Sequence, residues 1–179
     1  MDFRGIKEFI KDTAGYIIVI VLVIFIVNYV VTIQQNVGQS MEPTLMDGDA
    51  FLLNKVTYKV SEVKRGDIIV FKYDDTKYLV KRVIGLPGEK IEFKDNILYI
   101  NDEAYKEDFL PNDAITTDFK MDNIKGVVDF KIPKNMYFVL GDNRNNSLDS
   151  RAIGLINKDD IVGKTSIRIW PLNRIRVIN

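Results

Sequence analysis

The sequence has neither cysteine nor histidine among its 179 residues. Without cysteine there can be no disulfide, thiol nucleophile or thiolate metal site. Without histidine, the Ser-His-Asp and Cys-His mechanisms are excluded, together with the commonest zinc ligand. Hydrolytic chemistry would have to use serine, lysine, carboxylates, tyrosine or arginine, and we expect no metal and no cofactor.

The chain also lacks an excess of charge, because 25 basic residues balance 25 acidic ones. A nucleic-acid partner is therefore not expected, since such proteins present a strongly basic surface. The composition is 46% apolar and 28% charged, which is typical of a folded globular protein rather than a disordered one.

Charged residues are absent from positions 14–33, most of which are Ile, Val, Leu and Phe. Such a run spans about 30 Å as a helix, the thickness of a hydrocarbon core. A cleaved secretory signal and a buried core helix are the alternatives. The run is longer than the ~7–15 apolar residues of a signal, and no small-x-small cleavage site follows it. It predicts one transmembrane helix over residues 14–33.

Basic residues near the two ends of this run predict its orientation. Arg4, Lys7 and Lys11 precede it, whereas the first basic residue after it is Lys55. We expect residues 1–13 to be cytoplasmic and residues 34–179 to form an extracytoplasmic domain of a single-pass protein of the cell membrane.

The region after residue 34 reads as mostly β. Short runs rich in Val, Ile, Phe and Tyr alternate with turn signals, and they predict strands at 50–55, 67–72, 78–84, 90–93, 97–100, 136–140 and 161–169. Residues 101–125 are more charged and less apolar. The expected fold is an antiparallel β-sheet domain with a small inserted lobe at 101–125, preceded by the transmembrane helix.

Ser40 follows the apolar run closely and lies in a loop with two special neighbours. Gly38 leaves room for a peptide backbone to approach, and Pro43 restricts the conformation of the residue before it. Most loop serines are only solvated, so this signal depends on finding a base elsewhere in the chain.

Lys81 is the candidate base, because it lies in an apolar predicted strand. Alternation places it on one face with Leu79 and Val83, and Arg82 on the other face. Burial lowers a lysine pKa by up to ~3–5 units, and a neutral lysine can deprotonate a serine hydroxyl. The alternative is a lysine whose stem lies on the sheet while its ammonium group reaches water. Arg82 stays charged and cannot be the base.

A third polar cluster occupies residues 141–151 (GDNRNNSLDSR), directly after a predicted strand. Surface loops are often polar, yet alternating Asp and Arg can pair within a loop and hold it rigid. We therefore expect this loop to support a site.

Five segments together resemble the type I signal peptidases, the membrane-anchored Ser-Lys proteases, in the bacterial Gram-positive-like form. They are residues 38–45 (GQSMEPTL), 65–70 (RGDIIV), 81–88 (KRVIGLPG), 141–151 and 168–172 (RIWPL), which follow the apolar run in the family's order.

The resemblance implies that Ser40 is the nucleophile and Lys81 the general base of an acyl-enzyme mechanism. It implies that Ser147 hydrogen-bonds and orients the lysine. Four further residues of the same loop would support the site, namely Asp149, Arg151, Asp142 and Arg144.

The family further implies cleavage of signal peptides from secretory preproteins after small-x-small sites, at the surface of the lipid bilayer. The residues expected to bind substrate are Gly38, Met41, Leu45, Leu79 and Val80. The Ser40 N–H would contribute to the oxyanion hole. Some relatives carry a hydroxyl two residues before the nucleophile, where this chain has Gly38, so the composition of that hole is open.

Three other functions remain to be weighed. One is a specialised signal peptidase for a narrow set of clients such as pilins. Another is a non-catalytic, membrane-tethered β-domain that binds partners. A self-cleaving repressor-like Ser-Lys protease is disfavoured by the apolar run and by the lack of a DNA-binding segment.

Overall fold

The computed structural model describes residues 3–25 and 29–178. Helix α1 (Phe3–Phe25) is followed by two antiparallel sheets. The strands are β1 (Val31–Gln35), β2 (Ala50–Asn54), β3 (Ile68–Lys72), β4 (Tyr78–Gly85), β5 (Ile91–Lys94), β6 (Ile97–Ile100), β7 (Glu103–Tyr105), β8 (Phe119–Lys120), β9 (Met136–Leu140), β10 (Ile156–Asn157), β11 (Ile161–Trp170) and β12 (Arg176–Val177). Short helices are α2 (Thr57–Val60) and α3 (Ser150–Ile153), and single 3-10 turns cover Met121–Asn123, Lys158–Asp160 and Leu172–Arg174.

The large sheet has the strand order β1-β2-β11-β3-β4-β9-β10, and β12 also pairs with β11. The small sheet has the order β7-β6-β5-β8. The long strand β11 is central, since it pairs with β2 along one edge and with β3 along the other. Neighbouring strands in both sheets are therefore far apart in sequence in several places, and residues distant along the chain meet at one site.

Both faces of the middle of the large sheet are covered. Ile68 and Val70 of β3 pack in one apolar cluster with Phe51. The alternate residues Ile69 and Phe71 pack in a second cluster on the other face. This two-residue period is the pattern of a strand buried on both sides.

A third apolar cluster joins the small sheet to the large one. Phe93 and Leu98 of the small sheet pack with Ile84 of β4 and Phe138 of β9. The small sheet is thus attached over β4, which carries residues 81 and 82, and over β9, which leads into the loop at 141–151.

The predicted helix over residues 14–33 is wrong at its C-terminal end. The helix ends at Phe25, and Val31–Gln35 form β1, which pairs with β2. The β-branched residues Val31, Thr32 and Ile33 suit a strand, and the partner strand supplies their hydrogen bonds. The part of the prediction at 26–28 lies outside the described residues. The helix also begins earlier than predicted, at Phe3.

The helices of the described ranges include none that is both long enough and apolar enough to cross a membrane.

The seven strands predicted from apolar runs are confirmed, with shifts of one residue at some ends. The small sheet begins at Ile91, before the lobe expected at 101–125, because β5 and β6 pair with β8 and β7 rather than with the large sheet. The strands β1, β7, β8, β10 and β12 were not predicted; all but β1 are too short to show a pattern.

Candidate active site

Ser40 lies in the loop between β1 and β2, and the buried side chain of Asn36 holds that loop together. Asn36 Nδ2 donates to the carbonyl oxygens of Gly38 at 3.1 Å and Met46 at 2.9 Å. The backbone of Asn36 also donates to Asp49 O and accepts from Gly48 N. One amide therefore ties the start of the loop to its end, and the conformation before Ser40 is fixed.

A buried carboxylate attaches the same loop to β11. Asp49 is 2% exposed and accepts from Met46 N at 2.9 Å and from Arg168 Nη1 at 3.1 Å. Arg168 Nη1 also donates to Thr44 O at 3.0 Å. The sequence analysis assigned no role to Asn36, Asp49 or Arg168. The only signal was the position of Arg168 in the fifth motif, since the pairing depends on strands brought together by the fold.

Met41 and Leu45, which follow Ser40 in the chain, anchor the loop in the protein interior. Met41 and Leu45 are fully buried in the apolar cluster that contains Phe51. Their predicted role as walls of a substrate pocket is wrong for this structure, because neither side chain reaches the surface. They instead fix the segment that follows the partly exposed Ser40.

Lys81 meets Ser40 in this structure. It lies in β4 opposite Ile69 and is only 2% exposed. Its Nζ is 2.8 Å from Ser40 Oγ and 2.8 Å from Val80 O. The alternative of a lysine that extends into water is therefore excluded, and the amine and the hydroxyl are within the distance needed for proton transfer.

Burial lowers the pKa of Lys81 from 10.5 to about 8, while the carboxylates of Asp149 and Asp142 act in the opposite direction. The physical cause is the loss of water around an ammonium ion. At pH 7 a pKa of 8 leaves about a tenth of such a group neutral, against roughly 0.03% for an ordinary lysine. The amine is thus available as a base at physiological pH.

Arg82, the next residue of β4, makes a fully buried ion pair on its own side of the strand. Arg82 Nε and Nη2 donate to the two oxygens of Asp142 at 2.8 and 2.7 Å, and Nη1 donates to Gly66 O. Thr44 Oγ1 donates to Asp142 Oδ2 at 2.5 Å. Asp142 therefore connects β4, the serine loop and the loop at 141–151.

The loop at 141–151 lies directly against the serine. Asn143 N donates to Ser40 O at 3.1 Å, and Asn143 Nδ2 donates to Gln39 O at 3.2 Å. Gly141 is so close that a Cβ there would collide with Ser40 O and with the Ser147 side chain. The loop thus holds the backbone of the nucleophile segment in place.

Asp149 and Arg151 form an ion pair within this loop. The Asp149 carboxylate accepts from Arg151 Nε at 2.8 Å and Nη2 at 2.7 Å, and from Gly141 N at 3.1 Å. It also caps α3 by accepting from Arg151 N. Arg151 Nη2 donates further to Arg144 O at 2.7 Å.

Known proteins resemble this chain over most of its length. The model of the family described as signal peptidase, peptidase S26, matches residues 6–170. The chain belongs to this family. It is 37% identical over 179 residues to signal peptidase IB of Staphylococcus aureus strain COL, with 95% of this chain and 94% of that one covered. It is 39% identical over 181 residues to signal peptidase I P of Bacillus subtilis subsp. natto, with the same coverage.

A solved structure shares the fold. The crystal structure of a signal peptidase I from Enterococcus faecalis V583 matches with a TM-score of 0.52 and 35% identity. The match covers 59% of this chain and 97% of that one. The predicted antiparallel β-domain is confirmed, and the chain is a signal peptidase I hydrolase that acts on the signal peptides of secretory preproteins.

Ser147 of this signal peptidase does not make the hydrogen bond expected of it. Its Oγ is buried and has no hydrogen-bond partner among the residues that the structure describes. Lys81 Nζ is bound instead by Ser40 Oγ and Val80 O. Ser147 is nevertheless close to the site, since its side chain lies against Gly141.

The remaining substrate-binding predictions have mixed outcomes. Gly38 is exposed, has φ +90°, and has open space where a Cβ would lie. Leu79 and Val80 are half-buried in β4, but they pack in different apolar clusters on opposite faces of the sheet. One surface cannot include both side chains fully, and Val80 is the one whose carbonyl contacts Lys81.

Arg144 does not pair within its own loop, although pairing among the Asp and Arg side chains of residues 141–151 was predicted. Its guanidinium donates to Glu107 at 2.5 and 2.9 Å, in the segment between β7 and β8. Likewise, Asp142 pairs with Arg82 of β4 rather than within the loop. Only Asp149 and Arg151 form the internal pair, because the other two charges have partners supplied by the tertiary fold.

Proposed function

We propose that this signal peptidase hydrolyses signal peptides through an acyl-enzyme, with Ser40 as the nucleophile and Lys81 as the general base. The observation that carries the proposal is the 2.8 Å contact between Lys81 Nζ and Ser40 Oγ on a lysine that is 2% exposed. A serine hydroxyl becomes a useful nucleophile only beside a group that removes its proton.

The neutral amine of Lys81 would accept the Ser40 hydroxyl proton as Oγ attacks the scissile carbonyl carbon. The resulting ammonium would then donate that proton to the leaving amine, and the C–N bond would break to give an ester on Ser40. Water would then attack this ester, with Lys81 accepting one of its protons. The ester C–Oγ bond would break, the Lys81 ammonium would return the proton to Ser40 Oγ, and the signal-peptide acid would leave. A well-placed base of this kind contributes about 10²–10⁴-fold to the rate.

The oxyanion would be stabilised by the Ser40 backbone N–H, which the loop contacts hold in place. Asn143 N binds Ser40 O, and Asn36 fixes the preceding turn at Gly38. Gly38 has no hydroxyl to add as a second donor. We therefore propose that the hole is built from backbone and solvent, and that the open surface at Gly38 admits the substrate backbone.

The preference for small side chains before the cut would follow from the shallow surface beside the dyad. Val80 is half-buried next to the amine of Lys81, and Met41 and Leu45 are fully buried, so we expect little room for a large side chain beneath Ser40. A small-x-small cleavage site fits such a surface.

Membrane attachment through the N-terminal apolar segment is a further part of the proposal. The apolar side chains from Tyr16 to Phe25 of α1 are all more than half exposed, as are those of Trp170 and Leu172. So large an exposed apolar area is typical of a surface that contacts lipid or another protein. We propose a cytoplasmic N-terminus and an extracytoplasmic β-domain, with Trp170 at the interface.

The absence of cysteine makes this topology directly testable. Lys11→Cys and Lys94→Cys each introduce a single exposed thiol, which a membrane-impermeant maleimide can label in intact cells stripped of their wall. We expect labelling at position 94 before permeabilisation and at position 11 only afterwards. Equal labelling at both positions in intact cells would contradict the proposed orientation.

The catalytic proposal is tested by cleavage of a purified preprotein in detergent. We expect Ser40→Ala and Lys81→Ala each to abolish cleavage while the protein stays folded. Matched controls are Ser61→Ala and Lys94→Ala, which change an exposed serine and an exposed lysine far from the dyad in sequence. Retained cleavage in either dyad variant would refute the assignment of the dyad. A wild type that cleaves no preprotein would favour a β-domain that only binds partners.

A panel of preproteins distinguishes a general peptidase from one with a narrow client set such as pilins. Comparable kcat/KM values across unrelated preproteins are expected of a general enzyme. Cleavage confined to one class of client would support the specialised function.

A further inference from the structure

The small sheet contacts two arginines that belong to the catalytic region. The guanidinium of Arg82, next to the base, lies 4.3 Å from the centre of the Phe109 ring. The guanidinium of Arg144 is bound by both carboxylate oxygens of Glu107 and by Thr116 Oγ1 at 2.9 Å. The segment between β7 and β8 thus covers two cations whose other contacts lead to the dyad.

The Glu107–Arg144 pair is almost completely removed from water. The side chains are 12% and 1% exposed, respectively. A buried guanidinium needs a carboxylate and full hydrogen bonding, and the planar fork of Arg fixes its orientation when both oxygens of one carboxylate accept. Glu107 therefore determines where the Arg144 side chain lies.

Arg144 is attached at its other end to the backbone that contacts the nucleophile. Its Nε donates to Gly141 O at 3.1 Å, and its own carbonyl accepts from Arg151. Gly141 lies against Ser40 O, and the nearby Asn143 N donates to that same oxygen. A continuous set of contacts thus runs from the small sheet to the serine.

We propose that Glu107 is a positioning residue for the catalytic serine. Through Arg144 it holds the backbone at Gly141 and Asn143 against Ser40, so the small sheet controls the alignment of Ser40 with Lys81. This inference rests on the proposed dyad. It assigns a role in catalysis to a carboxylate that contacts neither the dyad nor the expected path of the substrate.

The test is steady-state cleavage of a preprotein by the full-length Glu107→Gln variant. This change keeps the shape of the side chain and removes its charge. A displacement of about 1 Å at a reacting group lowers the rate by up to about 100-fold, so we expect kcat to fall about 10-fold or more. KM should stay within about twofold, because a positioning role affects the reacting atoms more than the binding of substrate.

The matched control is Asp108→Asn, which removes a neighbouring carboxylate that is 76% exposed and pairs with Lys106. We expect its kcat and KM to equal those of the wild type. Equal loss in Asp108→Asn and Glu107→Gln would overturn the proposal, because a general electrostatic or local folding effect would then explain both. Wild-type kcat in a folded Glu107→Gln protein would overturn it as well.

A double variant tests whether Glu107 acts through Arg144. If Glu107 acts only through Arg144, then Glu107→Gln should lower kcat no further when Arg144→Met is already present. Multiplying effects of the two changes would show that they act independently and would overturn the inference.

A milder variant covers the case in which Glu107→Gln fails to fold. Thr116→Val removes one neutral hydrogen bond from the same guanidinium, and we expect kcat to fall about 2–5-fold, with KM unchanged. Wild-type kcat there would overturn the proposal. Ser40→Ala distinguishes failure of the dyad from failure of the positioning role. An active Ser40→Ala enzyme refutes the dyad. An inactive Ser40→Ala enzyme, together with fully active Glu107 and Thr116 variants, refutes only the positioning role.

Discussion

Replacing the base should abolish catalysis and yet stabilise the fold at neutral pH. Burial lowers the pKa of Lys81 from 10.5 to about 8. That difference corresponds to roughly 3 kcal/mol, and at pH 7 it acts against folding, because the buried ammonium has lost its water. Lys81→Met removes the charge and keeps an unbranched side chain of similar length.

The stability gained by removing the buried charge in Lys81→Met is partly offset by lost hydrogen bonds. The amine hydrogen-bonds Ser40 and Val80, and losing both contacts removes about 1–2 kcal/mol of stability. We therefore expect Lys81→Met to raise the free energy of unfolding at pH 7 by about 1–2 kcal/mol, or roughly 2–8 °C in Tm for a chain of this size.

The pH dependence is the sharper part of this prediction. Because the folded pKa lies below the unfolded one, the penalty is fully present below pH 8 and disappears as the pH rises towards 10.5. The free energy of unfolding of the wild type should therefore increase relative to that of Lys81→Met by roughly 2–3 kcal/mol between pH 7 and pH 10. Contributions from tyrosines cancel in this difference.

The assay is guanidinium unfolding of the full chain in detergent at both pH values. It can be followed by the fluorescence of Trp170, the single tryptophan. Lys94→Met is the control for the loss of a lysine as such, since Lys94 is exposed and lies outside the dyad. A Lys81→Met variant whose difference from wild type is the same at pH 7 and pH 10 would refute a lowered pKa at Lys81.

Three further predictions concern the same site. Cleavage should increase about tenfold per pH unit below a midpoint near pH 8, because neutral Lys81 is the active form. Gly141→Ala should lower kcat about 100-fold, because its Cβ would collide with Ser40 O and displace the nucleophile. Asp142→Asn should destabilise the protein by about 3–5 kcal/mol, because it leaves the fully buried Arg82 without a carboxylate.

Each of these has a control and a contrary outcome. A cleavage rate that is constant from pH 6 to pH 10 would argue against lysine as the base. Gly15→Ala controls for Gly141→Ala, since open space surrounds its Cβ position and its φ is not positive, so equal loss in both would refute the collision as the cause. Asp75→Asn changes an exposed ion pair and should alter stability by less than about 0.5 kcal/mol, and Asp142→Asn should greatly exceed it.

Lys81 and Arg82 are adjacent buried basic residues whose charges are compensated differently. Lys81 is destabilising because it is buried without a paired carboxylate, whereas Arg82 beside it has both oxygens of Asp142. Strand β4 therefore carries two buried basic side chains, of which Arg82 is paired with a carboxylate and Lys81 is not. The unpaired Lys81 loses its proton more readily, and a neutral amine is what general-base catalysis requires.

The sequence determined the chemistry of this protein to a large extent. The lack of histidine and cysteine left lysine as the main candidate base, the apolar neighbours of Lys81 indicated burial, and apolar runs bounded by turn signals located seven strands. These properties are local, because composition and periodicity are fixed by residues adjacent in the chain. The pairing of Asp149 with Arg151 is also local, and the resemblance to the family indicated that pair.

Only the tertiary structure decided how distant residues meet. The strand at Val31–Gln35 looked like a continuation of the apolar helix, and its pairing with β2 decided otherwise. Met41 and Leu45 turned inward because an apolar cluster was available to them. The partners of Asp142 and Arg144 lie far away in sequence, on β4 and beside the small sheet, so no pattern within the 141–151 loop could have identified them.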